Sequence, residues 1–161
     1  MKAEHFRRLI NCYPPFWAAG IRCTHMASDY TSAAVILKEY PWNRNLVGVH
    51  YGGSLFSMCD PWFMFLLKQQ LGSSYVVWDQ LAHIHFVKPG RGTVVAAFEV
   101  PHERTQEIWL QTQGGKKVLA PFTTRILDRE GAVVAEVSKV CYVREKRSNR
   151  GQGGGAAPQL V

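Results

Sequence analysis

Asp60 lies in a stretch, Leu55 to Leu67, that is otherwise almost wholly apolar. A carboxylate sheltered there must be paired, hydrogen-bonded or protonated, because stripping water from its charge is costly. Such a group is suited to general-base or nucleophilic work near neutral pH. Just upstream, Gly52-Gly53 opens the same stretch. Glycine lets a ligand approach the backbone closely, and free N–H groups at a helix start favour a developing oxyanion. An acid and such donors together suit attack on a carbonyl. Asp60-Pro61 also reads as a helix start, with Asp at the N-cap and Pro at N1, in which case the carboxylate only binds its own backbone amides. A proline two turns into a helix begun at Gly53 would instead kink it, and both readings can hold together.

Other chemistry is weaker. His83 and His85 alternate along a strand-like segment with no Cys or acidic cluster beside them, so no metal site is expected. Cys12, Cys23, Cys59 and Cys141 form no CxxC pair and read as reduced, mostly buried thiols. Lys88 and Arg91 flank Pro89-Gly90, and Lys116 and Lys117 lie further on; each suits a phosphate or is solvated surface. Trp62, Phe63 and Phe65 suit an apolar pocket or plain core and dimer packing.

The elements that must hold these residues follow from local pattern. Glu4 to Tyr13 suits a short helix ended by Pro14-Pro15. Ile21 to Met26 and Ser32 to Tyr40 read as strands, and Pro41 to Gly53 as a loop. A helix of roughly fifteen residues follows and ends at Gly72, a good C-cap. It lacks a polar face before Lys68, so it belongs in the middle of the molecule. Strands are expected over Tyr75 to Val87, Gly92 to Val100, Lys117 to Leu127 and Ala132 to Val143, with a hairpin turn at Asp128 to Gly131. The excursion His102 to Lys117 holds a short helix at Arg104 to Gln111. The order β-β-loop-α-β-β-β-β predicts an α+β fold, a curved antiparallel sheet wrapped around one long central helix.

The 161 residues fit one domain, and 47% hydrophobic against 19% charged residues mark it as globular. We expect an N-terminal extension over 1–17, the main domain over 18–145 and a disordered, Gly-rich tail over 146–161. No apolar run approaches the roughly 18 residues of a membrane-spanning helix, and the N-terminus does not read as a signal peptide, so a cytoplasmic location is expected. The net charge of +7 attracts anions, but no basic stripe interleaved with aromatics points to nucleic acid.

Asn45-Leu-Val-Gly48-Val-His50-Tyr51-Gly52-Gly53 followed by Asp60 resembles the N-x-x-G-x-x-H-G-G-x₆-D pattern of PaaI-type hotdog thioesterases. HIHFVKPGRGTVVA and REGAVVAEVSKVCYV resemble the middle strands and final hairpin of that fold, so the likeness spans about 18–144. It is similar above all to an uncharacterised branch with an H-[YF]-G-[GA] loop, since Tyr51 stands at the family's His position and His50 one place before it. The resemblance implies a hotdog fold and a site between subunits. There the Gly53 amide polarises a thioester carbonyl, Asp60 is base or nucleophile, and Asn45 completes the catalytic set. Gly48, His50, Tyr51, Gly52, Lys88 and Arg91 would bind substrate. The implied activity is acyl-CoA hydrolysis by a homodimer or dimer of dimers, with coenzyme A only as part of the substrate and neither membrane nor nucleic acid as partner. The alternative is a non-catalytic acyl-ligand binding or assembly protein on the same scaffold. A dehydratase would pair His50 with Asp60, but the sequence around them does not resemble one.

Overall fold

Two short helices lead into the sheet. In the computed structural model, which describes residues 1–146, α1 spans Ala3–Asn11 and α2 spans Pro14–Ala19. The second was not expected: Pro14-Pro15 ends α1 but also occupies the N1 and N2 positions of α2, where a missing N–H costs nothing. Ala3 and Phe16 join the common core, so these helices pack on the rest of the chain. Of the tail expected over 146–161, all but Lys146 lies outside the described residues.

The strands are β1 (Ile21–Met26), β2 (Ser32–Lys38), β3 (Tyr75–Phe86), β4 (Thr93–Glu99), β5 (Lys117–Leu127) and β6 (Val133–Glu145). They form one antiparallel sheet in the order β1-β2-β4-β5-β6-β3. The central helix runs in two segments, α3 (Gly52–Ser57) and α4 (Trp62–Leu71). Trp62, Phe63, Leu66 and Leu67 are buried, and α4 touches β2, β4 and β3, strands from both ends of the sheet order. A sheet that meets one helix with both ends must wrap around it, as the apolar composition of that helix requires.

The break in the helix has a local cause. Past Ser57 the backbone bonds tighten to i→i−3, from Cys59 to Phe56 at 3.0 Å and from Asp60 to Ser57 at 3.2 Å, and Pro61 then contributes no donor. The Trp62 indole N–H donates to the Met58 carbonyl at 2.7 Å and satisfies one group that the break leaves over.

Helix α5 (His102–Gln111) fills the excursion between β4 and β5 and begins two residues before the expected Arg104. Beside it those strands pair only at Val95 with Leu127 and Ala96 with Ile126. Where they part, a cleft of about 1250 Å³ opens and continues over β5, β6 and β3, with Phe63, Phe122, His85 and Glu136 among its lining.

Candidate functional site

Asp60 sits at the break between α3 and α4, and its side chain is 56% exposed in the single chain. This corrects the expectation of a sheltered acid: the break turns the residue outward although its neighbours Cys59 and Trp62 are fully buried. The N-cap reading is corrected too, since Pro61 is the residue at the N-cap of α4 and no side chain caps that helix. Asp60 instead meets a cation. The Lys139 ammonium donates to Asp60 Oδ1 at 3.0 Å, to Asp79 Oδ2 at 2.6 Å and to the Asp60 carbonyl. Lys139 is fully buried as a side chain, and all three of its donors are used. Burial pushes the Asp79 carboxyl up, against the opposing pull of Lys139. Cys141 Sγ lies 3.4 Å from Asp79 Oδ1, and burial raises its thiol far above the usual range.

Neither Lys139 nor Asp79 was singled out from the sequence, yet the signal was there. Ala135, Val137, Lys139, Cys141 and Val143 are the buried alternate positions of β6, so a lysine in that series must face inward. Asp79 extends the Tyr75, Val77 series of β3 in the same way.

The glycine end is a second cluster. The loop from Arg44 to Tyr51 is tied to the turn Pro89–Gly92 by bonds from His50 N to Gly90 O at 3.0 Å, His50 Nε2 to Gly92 O at 2.9 Å and an Arg91 guanidinium N–H to Gly48 O at 3.1 Å. Glu39 braces both sides, pairing with Arg44 at 2.6 Å and accepting from Gly92 N. Asn45 Oδ1 accepts from Val47 N at 3.0 Å and Val49 N at 3.2 Å, so its carboxamide shapes the loop. Lys88 pairs with Asp128 at 2.5 Å and anchors the hairpin turn between β5 and β6. His50 is buried, its Nδ1 has no partner among the described residues, and burial holds its pKa below the ordinary value.

Within α3, Ser54 and Leu55 both donate to Tyr51 O, while the Gly52 and Gly53 N–H groups meet no protein acceptor among the described residues. Aromatic rings flank them. A Cβ on Gly53 would lie 2.3 Å from the Tyr51 ring, and one on Gly52 would lie 3.1 Å from Phe86. A side chain at either position would need the neighbouring ring to shift.

The structure thus brings Asn45, Gly48, His50, Tyr51, Gly52, Gly53 and Arg91 together at the start of the central helix and leaves Asp60 at its break. Asp60 follows Gly52 by eight residues, with the end of α3 and the break lying between them. Trp62 and Phe63 are core, and Phe65 packs edge-on against Phe6 and Trp62. Asp60 and the glycines lie apart from the large cleft between β4 and β5. Among the described residues no cluster of His, Cys, Asp and Glu is arranged to hold a metal ion. No helix among them is long and apolar enough to cross a membrane.

A family model described as a domain of unknown function (DUF4442) matches residues 2–143. Among solved structures, the chain is similar to a protein of unknown function from Pseudomonas aeruginosa named a probable thioesterase, with TM-score 0.80 and 19% identity over 89% of this chain and 95% of that one. It is also similar to a thioesterase from Haemophilus influenzae, with TM-score 0.67 and 11% identity over 94% and 96%. The PaaI protein of the phenylacetic acid degradation operon of E. coli aligns with TM-score 0.62 and 19% identity over 89% and 91%. At such identities the likeness is one of fold, and that fold is the hotdog. Among curated proteins none matches.

Proposed function

The chain belongs to the DUF4442 family, and from that premise we propose that it hydrolyses acyl-CoA or a related thioester at a site completed between two copies of itself. The observation that carries the reading is one carboxylate oxygen, Asp60 Oδ2, left without a protein donor among the described residues, together with a glycine helix start left without protein acceptors among them, the first at the break of the central helix and the second at its start. A site shared by two chains would let the two groups meet one substrate from opposite sides. Strand β3 is a terminal strand of the sheet, with Trp78, Leu81 and Phe86 exposed along it. The Gly52 end of α3 lies against Phe86 at one end of that strand, and Asp60 is linked through Lys139 to Asp79, in the half of the strand nearer Tyr75. Antiparallel pairing of two such edges about a two-fold would set the Asp60 end of one protomer beside the glycine end of its partner.

In that arrangement the Gly53 N–H binds the thioester oxygen as it gains charge. Asp60 either takes a proton from the water that attacks the carbonyl carbon, or adds to that carbon itself. In both routes the C–S bond breaks, and the coenzyme A thiolate leaves and is protonated; in the second, water then hydrolyses the acyl-aspartyl anhydride and frees Asp60. Coenzyme A enters only as part of the substrate, and the fold-level relatives named thioesterases support the class of reaction. The protein would act in the cytoplasm as a homodimer or dimer of dimers.

The test is thiol release from a panel of acyl-CoAs. Asp60→Asn should lower turnover by roughly 10²-fold or more with the fold intact, and unchanged rates would remove Asp60 from the chemistry.

One observation favours a second reading, a non-catalytic acyl-ligand binder. The Tyr51 ring lies against Gly53, beside the amide that should meet the carbonyl. Saturable acyl-CoA binding without thiol release by either the wild type or Tyr51→His would select it.

A further inference from the structure

We infer that Lys139 is the positioning residue for Asp60, holding one carboxylate oxygen so that the other alone faces the substrate; this rests on the reading of Asp60 as the working acid. A half-exposed aspartate with no partner samples several rotamers, and reactive groups lose rate steeply when displaced by about 1 Å. Here Oδ1 is fixed by Lys139, and Oδ2 has no protein donor among the described residues.

The support runs inward from there. Lys139 is itself immobilised by Asp79, whose other oxygen meets Cys141 Sγ. A β-bulge lies between Asp79 and Leu81, at the point where β3 leaves its regular register with β6, and bulges serve to re-aim neighbouring side chains. Lys139 also donates to the Asp60 carbonyl, so backbone and side chain of the same residue are held by one ammonium. Stability alone does not account for this arrangement, because a buried ion pair is often replaceable by apolar residues at no loss. What an apolar pair cannot do is grip a carboxylate that projects from a helix break.

The test compares the wild type with the double variant Lys139→Met/Asp79→Asn, which removes both charges together and leaves neither buried alone. Each protein is first checked for a single cooperative thermal transition, and the Asp60 rotamer is then read from crystals of both. We expect one Asp60 conformer in the wild type and more than one in the double variant. In acyl-CoA hydrolysis we expect kcat to fall by about thirtyfold with KM changed by less than about twofold. In Lys139→Ala we expect added ethylammonium to restore part of the lost rate, which a general loss of packing would not allow. Wild-type kcat in the double variant, or a single unchanged Asp60 rotamer, would overturn the inference. Absence of thiol release by the wild type would overturn the hydrolase reading instead, and the rotamer comparison would still judge Lys139. A double variant without a cooperative transition would show the pair to be a structural necessity and would also overturn the inference.

Discussion

The titratable groups around the helix ends differ in what burial has done to them. His50 sits below its ordinary value of 6.5 because burial disfavours its charged form. Unfolding exposes an imidazole that binds a proton more readily than the native one, so this residue's contribution to stability is present above the unfolded value. It is lost as pH falls through about 6.5 toward the native one. His50→Gln, which keeps a donor for Gly92 O, should flatten that limb. Melting temperatures of the two proteins measured between about pH 8 and about pH 5 check it, and parallel curves would contradict it. The cysteines divide as well. Cys12 is exposed, whereas burial holds the Cys23 thiol up at about 11 and that of Cys59 at about 12, and Cys141 higher still. A disulfide reagent should therefore titrate one thiol in the native protein and four after denaturation. At this scale the sequence pointed to Asp60 because a charge stands out in an apolar run. It misjudged the exposure, because the outward turn arises from a break whose shape depends on tertiary partners. Lys139 was legible only to someone counting inward positions along β6.

Among the elements, the glycines at the turns carry most of the specification. Gly20 follows α2 at a φ of 80°, and a Cβ there would lie 2.6 Å from the Lys38 carbonyl. Gly20→Ala should cost about 3 kcal/mol, the sum of left-handed strain and a backbone clash, measurable by urea unfolding. Gly53 is a different case, because its close neighbour is the end of a movable ring. Gly53→Ala should displace the Tyr51 side chain and destabilise the protein by about 1 kcal/mol, whereas in a Tyr51→Ala background the same change should cost nothing or stabilise α3 through helix propensity. The strands were legible because period-2 patterns and Gly or Pro bounds are local; Ile21–Met26 and Lys117–Leu127 came out at their expected limits. The short helix Pro14–Ala19 was not, since a Pro-Pro pair reads equally as the end of one helix and the start of another. The central helix was legible as one span from its composition, and its interruption only as the alternative that Pro61 allowed.

For the whole molecule, the two ends of the sheet are treated differently. At β1 the outer positions are blunted: Asn11 exchanges two hydrogen bonds with the Cys23 backbone at 2.8 and 3.0 Å, and the register shifts between Cys23 and His25. At β3 the apolar side chains Trp78, Leu81 and Phe86 stand exposed beside a terminal strand. Open edges of this kind invite a partner strand. Leu81→Lys combined with Phe86→Lys should shift sedimentation from dimer toward monomer and reduce thiol release together with it, whereas an active monomer would exclude a shared site. The fold class was readable from the order of elements, whereas a site shared between two copies was expected from the family resemblance alone. Only coordinates show that Gly52 opens the central helix beside Phe86 while Asp60 sits at its break, tied through Lys139 to Asp79. The most direct measurement is a crystal structure with a non-hydrolysable acyl-CoA analogue. The account predicts the acyl carbonyl position within hydrogen-bond reach of Gly53 N–H of one protomer, with Asp60 of the other facing the carbonyl carbon. An acyl group lodged in the cleft between β4 and β5, remote from Asp60, would contradict it.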